Sequence, residues 1–353
     1  MERQSGEGIT QCGAACGRTR AASRRYSRRQ FISKSFEVTI GVAALGGLHI
    51  SGASSAGMRN LDIGQGYDGT TEIVAYHAAA DRGFYQQNGI NVKFVQLGGG
   101  GALAEAFAAK AVNYGIGASF TAAAAISHNV PIKIVALALD PLLEVLVVRP
   151  DAGIDKIQDL KGKHLAITRQ GSLTEFETLY VVNKAGLTPG DVQIVPLGSV
   201  GAMRTALARR QIDGAMMFGV DVNQAEFDRV GKILQPMKQL APHAGNESFS
   251  ARIDFIQKEP DAIRGLLRAY YQAVNYIARN PDYTTSLFTK MYNVDKAIAA
   301  AYYADTIGQL SRDGQFSIEG LEFMMKAATS LKLIPVPIPL DRVITREFVP
   351  VHV

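Results

Sequence analysis

Four short runs of glycine and hydroxyl residues hold the best prospects for binding chemistry. They cover residues 98–101, 118–121, 171–174 and 198–201, each where an apolar strand pattern gives way to a helical one. Backbone N–H groups at a helix start lack intrahelical partners, and the helix dipole puts its positive end there, so such points suit anionic or strongly polar groups. Gly99 and Gly100 leave the first run open to close approach. Ser119 and Thr121 flank Phe120 in the second, and Gly171, Ser172, Leu173 and Thr174 form the third. The fourth run offers only Ser199 as a hydroxyl and reads as mainly structural. The competing reading of any one run is a tight turn. Tyr67, Phe120 and Phe218 could sandwich an organic solute, and Asp68, Asp140 and Asp221 stand at strand ends. Those aromatics also suit a core, and those aspartates suit helix caps. Asp68 would matter most for a ligand with an amine or a ring N–H.

Enzyme chemistry finds less support. His77 and Asp81 are four apart and could share a helix face, but two ligands make no zinc site. His128, His164 and His243 are scattered. The chain has no Gly-x-Ser-x-Gly elbow and no Gly-Lys-Ser/Thr phosphate loop, and its glycine run lacks the spacing of a dinucleotide site. No catalytic residue, metal site or cofactor is therefore assigned.

The chain has 353 residues, 37 Lys/Arg, 32 Asp/Glu and a net charge of +5. Residues 1–56 hold eight basic and three acidic residues, which leaves 29 of each in the remainder. A neutral body gives no reason to expect nucleic acid or an anionic membrane as partner. The leader carries Ser27-Arg28-Arg29-Gln30-Phe31-Ile32, then Lys34, an apolar run over residues 38–50, and the small residues Ala53-Ser54-Ser55-Ala56. It resembles a twin-arginine export signal with Arg28 and Arg29 as the pair, cleaved near residues 53–57. Glu37 and the long stretch before the arginines depart from that pattern. Cys12 and Cys16 precede the pair, so the exported chain would keep neither a disulfide nor a thiol nucleophile. A periplasmic location follows from this reading.

The elements that must position the candidate residues come in repeated units. Shifting the sequence by 100 places residues 91–114 on residues 191–214, and eight of the 24 aligned positions are identical, among them Val92/Val192, Leu97/Leu197, Gly98/Gly198 and Gly101/Gly201. Each copy reads strand, glycine turn, helix, strand. A first strand is expected around residues 61–64, then a helix capped by Thr70 or Thr71 and stopped at Gly83. The apolar run over residues 132–139 breaks at Asp140-Pro141 and resumes over 145–148, a pattern that could cross between two modules. Strand 164–168 and strand 215–219 belong to the second module, and from Lys258 onward the pattern is helical. Pro335, Pro337 and Pro339 precede a short terminal helix expected near residues 341–348.

Several motifs resemble one family. Gly83-Phe84-Tyr85-Gln86-Gln87-Asn88-Gly89-Ile90-Asn91-Val92 is similar to a signature of the periplasmic solute-binding proteins of ABC importers, in the branch for nitrate, sulfonates, taurine and thiamine precursors. Residues 98–101, Val112-Asn113-Tyr114-Gly115-Ile116-Gly117, Val130-Pro131-Ile132-Lys133-Ile134-Val135-Ala136 and Asp159-Leu160-Lys161-Gly162-Lys163 extend the likeness in order. Ala111 and Asn113 depart from the usual residues at a turn. The resemblance implies an α/β chain with the two-lobed type II periplasmic-binding-protein fold. Each lobe would be a mixed sheet flanked by helices, with the ligand cleft between them. Residues 57–143 and 241–353 would form lobe 1, and residues 144–240 lobe 2. It also implies a small polar or anionic solute and an inner-membrane permease as partners, besides the twin-arginine machinery, and a monomer. Family relatives that make a thiamine pyrimidine are enzymes with a cysteine-rich motif that this chain lacks. An exported enzyme of this fold, or a sensor without a transporter, is the alternative.

Overall fold

The computed structural model describes residues 58–242, 244 and 247–353; the expected export signal, both cysteines and His243 lie outside them. The first strands and helices are β1 Arg59–Gln65, α1 Thr71–Asp81, α2 Phe84–Gln87, β2 Ile90–Gln96, α3 Gly100–Ala108, β3 Tyr114–Ala118, α4 Ser119–Ser127 and β4 Ile132–Leu139. Next come β5 Val145–Val148, β6 His164–Ile167, α5 Leu173–Lys184, β7 Gln193–Pro196, α6 Val200–Ala208, β8 Gly214–Met217, α7 Val220–Phe227, β9 Lys232–Pro236 and α8 Met237–Leu240. The chain closes with β10 Glu247–Arg252, α9 Ile253–Lys258, α10 Pro260–Arg279, α11 Pro281–Tyr292, α12 Lys296–Thr306, α13 Ile318–Ser330 and α14 Leu340–Val343.

These strands form two five-stranded sheets, ordered β2-β1-β3-β10-β4 and β7-β6-β8-β5-β9. The orders are the same pattern written twice. In each sheet two parallel β-α-β steps are followed by an antiparallel strand, β10 in one and β5 in the other. The expected two-lobed architecture with mixed sheets is what the chain adopts. The 100-residue repeat also reaches fine detail. α3 ends at Ala108 and α6 at Ala208, and Lys110 and Arg210 both take a left-handed backbone, φ 61° and 58°. Asn129 and Arg229 do so again, at φ 63° and 56°.

Two strands went unanticipated. β9 and β10 lie where Lys, Gln and Pro or polar Glu and Ser interrupt the apolar pattern, yet β10 is buried throughout because it fills the gap between β3 and β4. The terminal helix is also shorter than expected, Leu340–Val343, and the chain beyond it lies extended past β4.

An aromatic cluster fills one face of the first sheet. Tyr76 on α1 meets Phe94, Phe249, Tyr85 and Tyr270 with centroids 5.1–6.4 Å away. The amphipathic α10 supplies Tyr270 and Tyr271, and the Tyr271 hydroxyl donates to the Leu137 carbonyl at 2.6 Å. The buried Tyr76 hydroxyl has no hydrogen-bond partner. A buried polar atom without a partner costs stability, whereas a made bond contributes about 1 kcal/mol net. Tyr76→Phe is therefore expected to leave stability equal or higher, and Tyr271→Phe to lower it by about 1 kcal/mol, as read from denaturant midpoints.

Candidate functional site

A cavity of about 410 Å³ lies between the two sheets, at the carboxyl ends of β1, β3, β6 and β8 where helices begin. That is where parallel α/β modules offer unpaired N–H groups. The residues closing it come from both lobes. The Val220 N–H donates to the Gly69 carbonyl at 3.0 Å, and Tyr67 meets Phe218 edge-on at 6.3 Å. The Arg169 guanidinium lies over the glycine loop, so that a Cβ at Gly99 would stand 3.3 Å from its Nε. The two lobes touch at these points across the cavity.

Most of the expected ligand residues line this cavity: Tyr67, Asp68, Gly99, Gly100, Thr121, Ser172, Leu173, Thr174, Phe218 and Asp221. The fourth run, expected to be mainly structural, lines it too, through Gly198, Ser199 and Gly201 with Val200. Four expected residues do not reach it. Ser119 is fully buried beneath the start of α4, and Phe120 points into the core, stacked on Phe176 at 5.0 Å. Asp140 lies in the crossing segment outside the lining, and the Gly171 N–H is occupied by the Glu175 carboxylate at 2.6 Å. Each of these helix starts contributes to the lining or lies beside it, but spacing alone does not say which side of a helix start faces the cavity.

The Ser172 and Thr174 hydroxyls of the lining are already engaged. Ser172 Oγ donates to the Arg169 carbonyl at 2.6 Å and caps α5 by accepting from the Glu175 N–H at 3.3 Å. Thr174 Oγ1 accepts from the Thr168 N–H at 3.0 Å. Ser172→Ala should consequently cost stability as well as any affinity, about 1 kcal/mol for a lost N-cap, visible as a lowered melting temperature without ligand. Thr70, expected to cap α1, sits at the cap position but its hydroxyl makes no cap bond. The His77–Asp81 pair is split: His77 Nε2 pairs with Gln65 at 2.8 Å and its ring lies on Phe94, while Asp81 accepts from the Tyr283 hydroxyl at 2.7 Å. Among the described residues no cluster of His, Cys, Asp or Glu is arranged to hold a metal ion.

The sequence reading missed the acids. Glu72, Glu144 and Glu247 line the cavity, each at most 5% exposed. Glu144 and Glu247 sit on the two segments that cross between the lobes, and Glu72 on the first turn of α1. Burial, with the neighbouring Glu144 and Glu72 charges, pushes the Glu247 carboxyl well above the usual carboxylate range. Burial likewise raises Glu72, partly offset by Thr70. Behind them Glu177 on α5 is fully buried, and burial together with Glu144 raises it strongly. Deprotonated, neither of its oxygens has a donor; protonated, it can donate to Glu144. Arg204 is the basic residue of the lining, and it is spent on Asp221 at 2.9 Å and Asp228 at 3.1 Å. A lone Glu inside Leu142-Leu143-Glu144-Val145-Leu146 was the one available signal.

Comparisons with known proteins fit this geometry. The alkanesulfonate-binding protein SsuA from Xanthomonas axonopodis pv. citri, solved with MOPS bound, superposes with a TM-score of 0.72 at 17% identity, covering 83% of this chain and all of that one. The taurine-binding periplasmic protein of Escherichia coli (strain K12) is 31% identical over 208 residues, 58% of this chain and 63% of that protein, so the match spans less than two thirds of that relative. The 4-amino-5-hydroxymethyl-2-methylpyrimidine phosphate synthase of Schizosaccharomyces pombe (strain 972 / ATCC 24843) is 23% identical over 69% of this chain and 76% of the synthase. The family described as NMT1/THI5 like matches residues 70–284, and the chain belongs to that family.

Proposed function

We propose that the chain is the solute-binding component of an ABC importer, enclosing one small polar organic molecule in the periplasm and delivering it to a membrane permease. The observation that carries this is the cavity between the lobes, built from helix starts of both and bridged by contacts across it. Among the described residues the lining holds no Cys or His to serve as nucleophile or base, which favours binding over turnover despite the pyrimidine synthase among the relatives. The names of the other two relatives make taurine and alkanesulfonates the first solutes to try. Export would use Arg28 and Arg29, and the protein would act as a monomer.

Purified protein should be screened by thermal shift against sulfonates, carboxylates, pyrimidines and nitrate. A ligand of the native state at a hundredfold excess over Kd stabilises it by about 2.7 kcal/mol, so the true solute is expected to raise the melting temperature clearly. It should be recovered unchanged. Product accumulating over repeated turnovers would instead establish an enzyme. For the export step, Arg28→Lys combined with Arg29→Lys is expected to leave full-length precursor in the cytoplasm, and normal secretion of that variant would remove the twin-arginine assignment.

A further inference from the structure

We infer that the solute carries a cationic nitrogen, a protonated amine or amidine, seated among Glu72, Glu144 and Glu247. The inference rests on the solute-binding reading and narrows it to a chemical class.

The charges of the lining do not balance. Among the described lining residues the acids are Asp68, Glu72, Glu144, Asp221 and Glu247, and the base is Arg204, which is committed to Asp221 and Asp228. The Arg169 guanidinium lies over the glycine loop at Gly98 and Gly99, away from the three glutamates' own elements. Oε2 of Glu72 and Oε2 of Glu247 are buried, belong to residues in the cavity wall and have no hydrogen-bond partner within the protein. The Tyr67 and Thr70 hydroxyls stand beside these acids and favour their charged forms, but bring no positive charge. Isolated buried carboxylates are costly, and natural interiors keep them where something compensates. A ligand N–H donor that carries positive charge supplies both missing elements, the hydrogen bond and the opposite charge. Tyr67 and Phe218, meeting edge-on at 6.3 Å, give the same ligand an aromatic wall, which cations favour. The acid cluster is not arranged for a metal ion, as no group of three side chains shares a coordination point among the described residues.

Glu144 and Glu247 give the site a second property. Each lies at an end of a segment crossing between the sheets, Glu144 just before β5 and Glu247 at the start of β10. These two acids therefore stand on both crossings, and Glu72 stands on α1 of the first sheet's lobe. Burial, with repulsion from neighbouring acids at Glu247, raises Glu72 and Glu247 and so favours their protonated forms while the cavity lacks a cation. Glu177, Tyr67 and Tyr302 face the same acids and bring no positive charge. Cation binding should then expel protons.

The test compares probes that differ only in the nitrogen. Calorimetric titration would set 2-aminoethanesulfonate against 2-hydroxyethanesulfonate, and benzamidine against benzamide, with wild type, Glu72→Gln and Glu247→Gln. The expected result is at least ten-fold tighter binding of one cationic member than of its neutral-nitrogen or hydroxyl counterpart. That preference should shrink at least five-fold in either variant, and binding enthalpies should vary with buffer ionisation as protons leave. Wild-type comparison alone decides the matter should a variant fold poorly. Hydroxyethanesulfonate, acetate or nitrate binding as tightly as the cationic probes would overturn the cation and leave the solute-binding reading standing. Stabilisation by calcium, magnesium or manganese chloride alone would replace it with a metal site. Wild type binding neither these probes nor any solute of the wider screen would remove both.

Discussion

Gly219→Ala is expected to weaken solute binding at least ten-fold and to lower the melting temperature of the ligand-free protein modestly. Gly219 precedes α7 with φ 71° and ψ −170°, a conformation that glycine alone adopts readily, and forcing another residue there costs about 1–3 kcal/mol. That strain stays within the second lobe and shows in the melting temperature. A second effect belongs to closure. The added Cβ would stand 2.6 Å from the Gly69 carbonyl oxygen across the cleft, the same oxygen that accepts from the Val220 N–H. Neither backbone can yield without losing that hydrogen bond, so the closed form alone is penalised. With about 1.4 kcal/mol per decade of affinity, even a small displacement reaches ten-fold. Gly308→Ala is the control, because its Cβ would meet nothing within 4 Å. Titration of whichever solute the screen identifies checks the result, and wild-type affinity in Gly219→Ala would mean that the bound form lacks this contact.

The largest effect on stability should come from acidification. Burial raises Glu72, Glu177 and Glu247 above the ordinary carboxylate value of 4.5. Above that value the unfolded chain has released these protons while the native state still holds them. Stability then falls as pH rises, by about 1.4 kcal/mol per pH unit for each proton so retained. His77 opposes the trend below 6.5, since burial lowers its affinity for a proton in the native state. Asp213, Asp159, Asp191 and Asp254 are lowered from 3.8 and act only in stronger acid. Three glutamates outweigh one histidine, so the ligand-free protein should melt at a higher temperature at pH 5.5 than at pH 7.5. Glu177→Gln, which lies outside the cavity lining, should flatten this slope. A melting temperature that climbs from pH 5.5 to 7.5 would show that these carboxyls are ionised in the native state.

Much of the fold was legible because its signals are local. The repeat over residues 91–114 and 191–214 marked both β-α-β units, and each glycine run fell on a real helix start. β10 stayed hidden because its burial is conferred by neighbours more than a hundred residues earlier in sequence, with Ser248 and Ser250 carrying no apolar alternation of their own. The site divides the same way. Tyr67, Thr121 and Phe218 follow from topology, since they stand at strand ends. Ser119 and Phe120 fall outside the lining because one residue along a helix turns a side chain by about 100°. Glu72 and Glu247 carry no local sign of burial in the sequence, and only the fold encloses them.

The exchange of strands between the halves of the chain has a consequence for synthesis. β3 and β4 do not pair with each other; β10, read off the message more than a hundred residues later, must slot between them. The second sheet, by contrast, draws all its strands from residues 145–236. On the ribosome the later-made lobe can therefore be complete while the earlier one still has two open strand edges and no α10 over its aromatic face. Such edges recruit other chains. A fragment ending near residue 240 should accordingly be prone to aggregate, and a nascent chain of this architecture stands to gain from a chaperone that holds residues 59–139 until residue 252 has emerged.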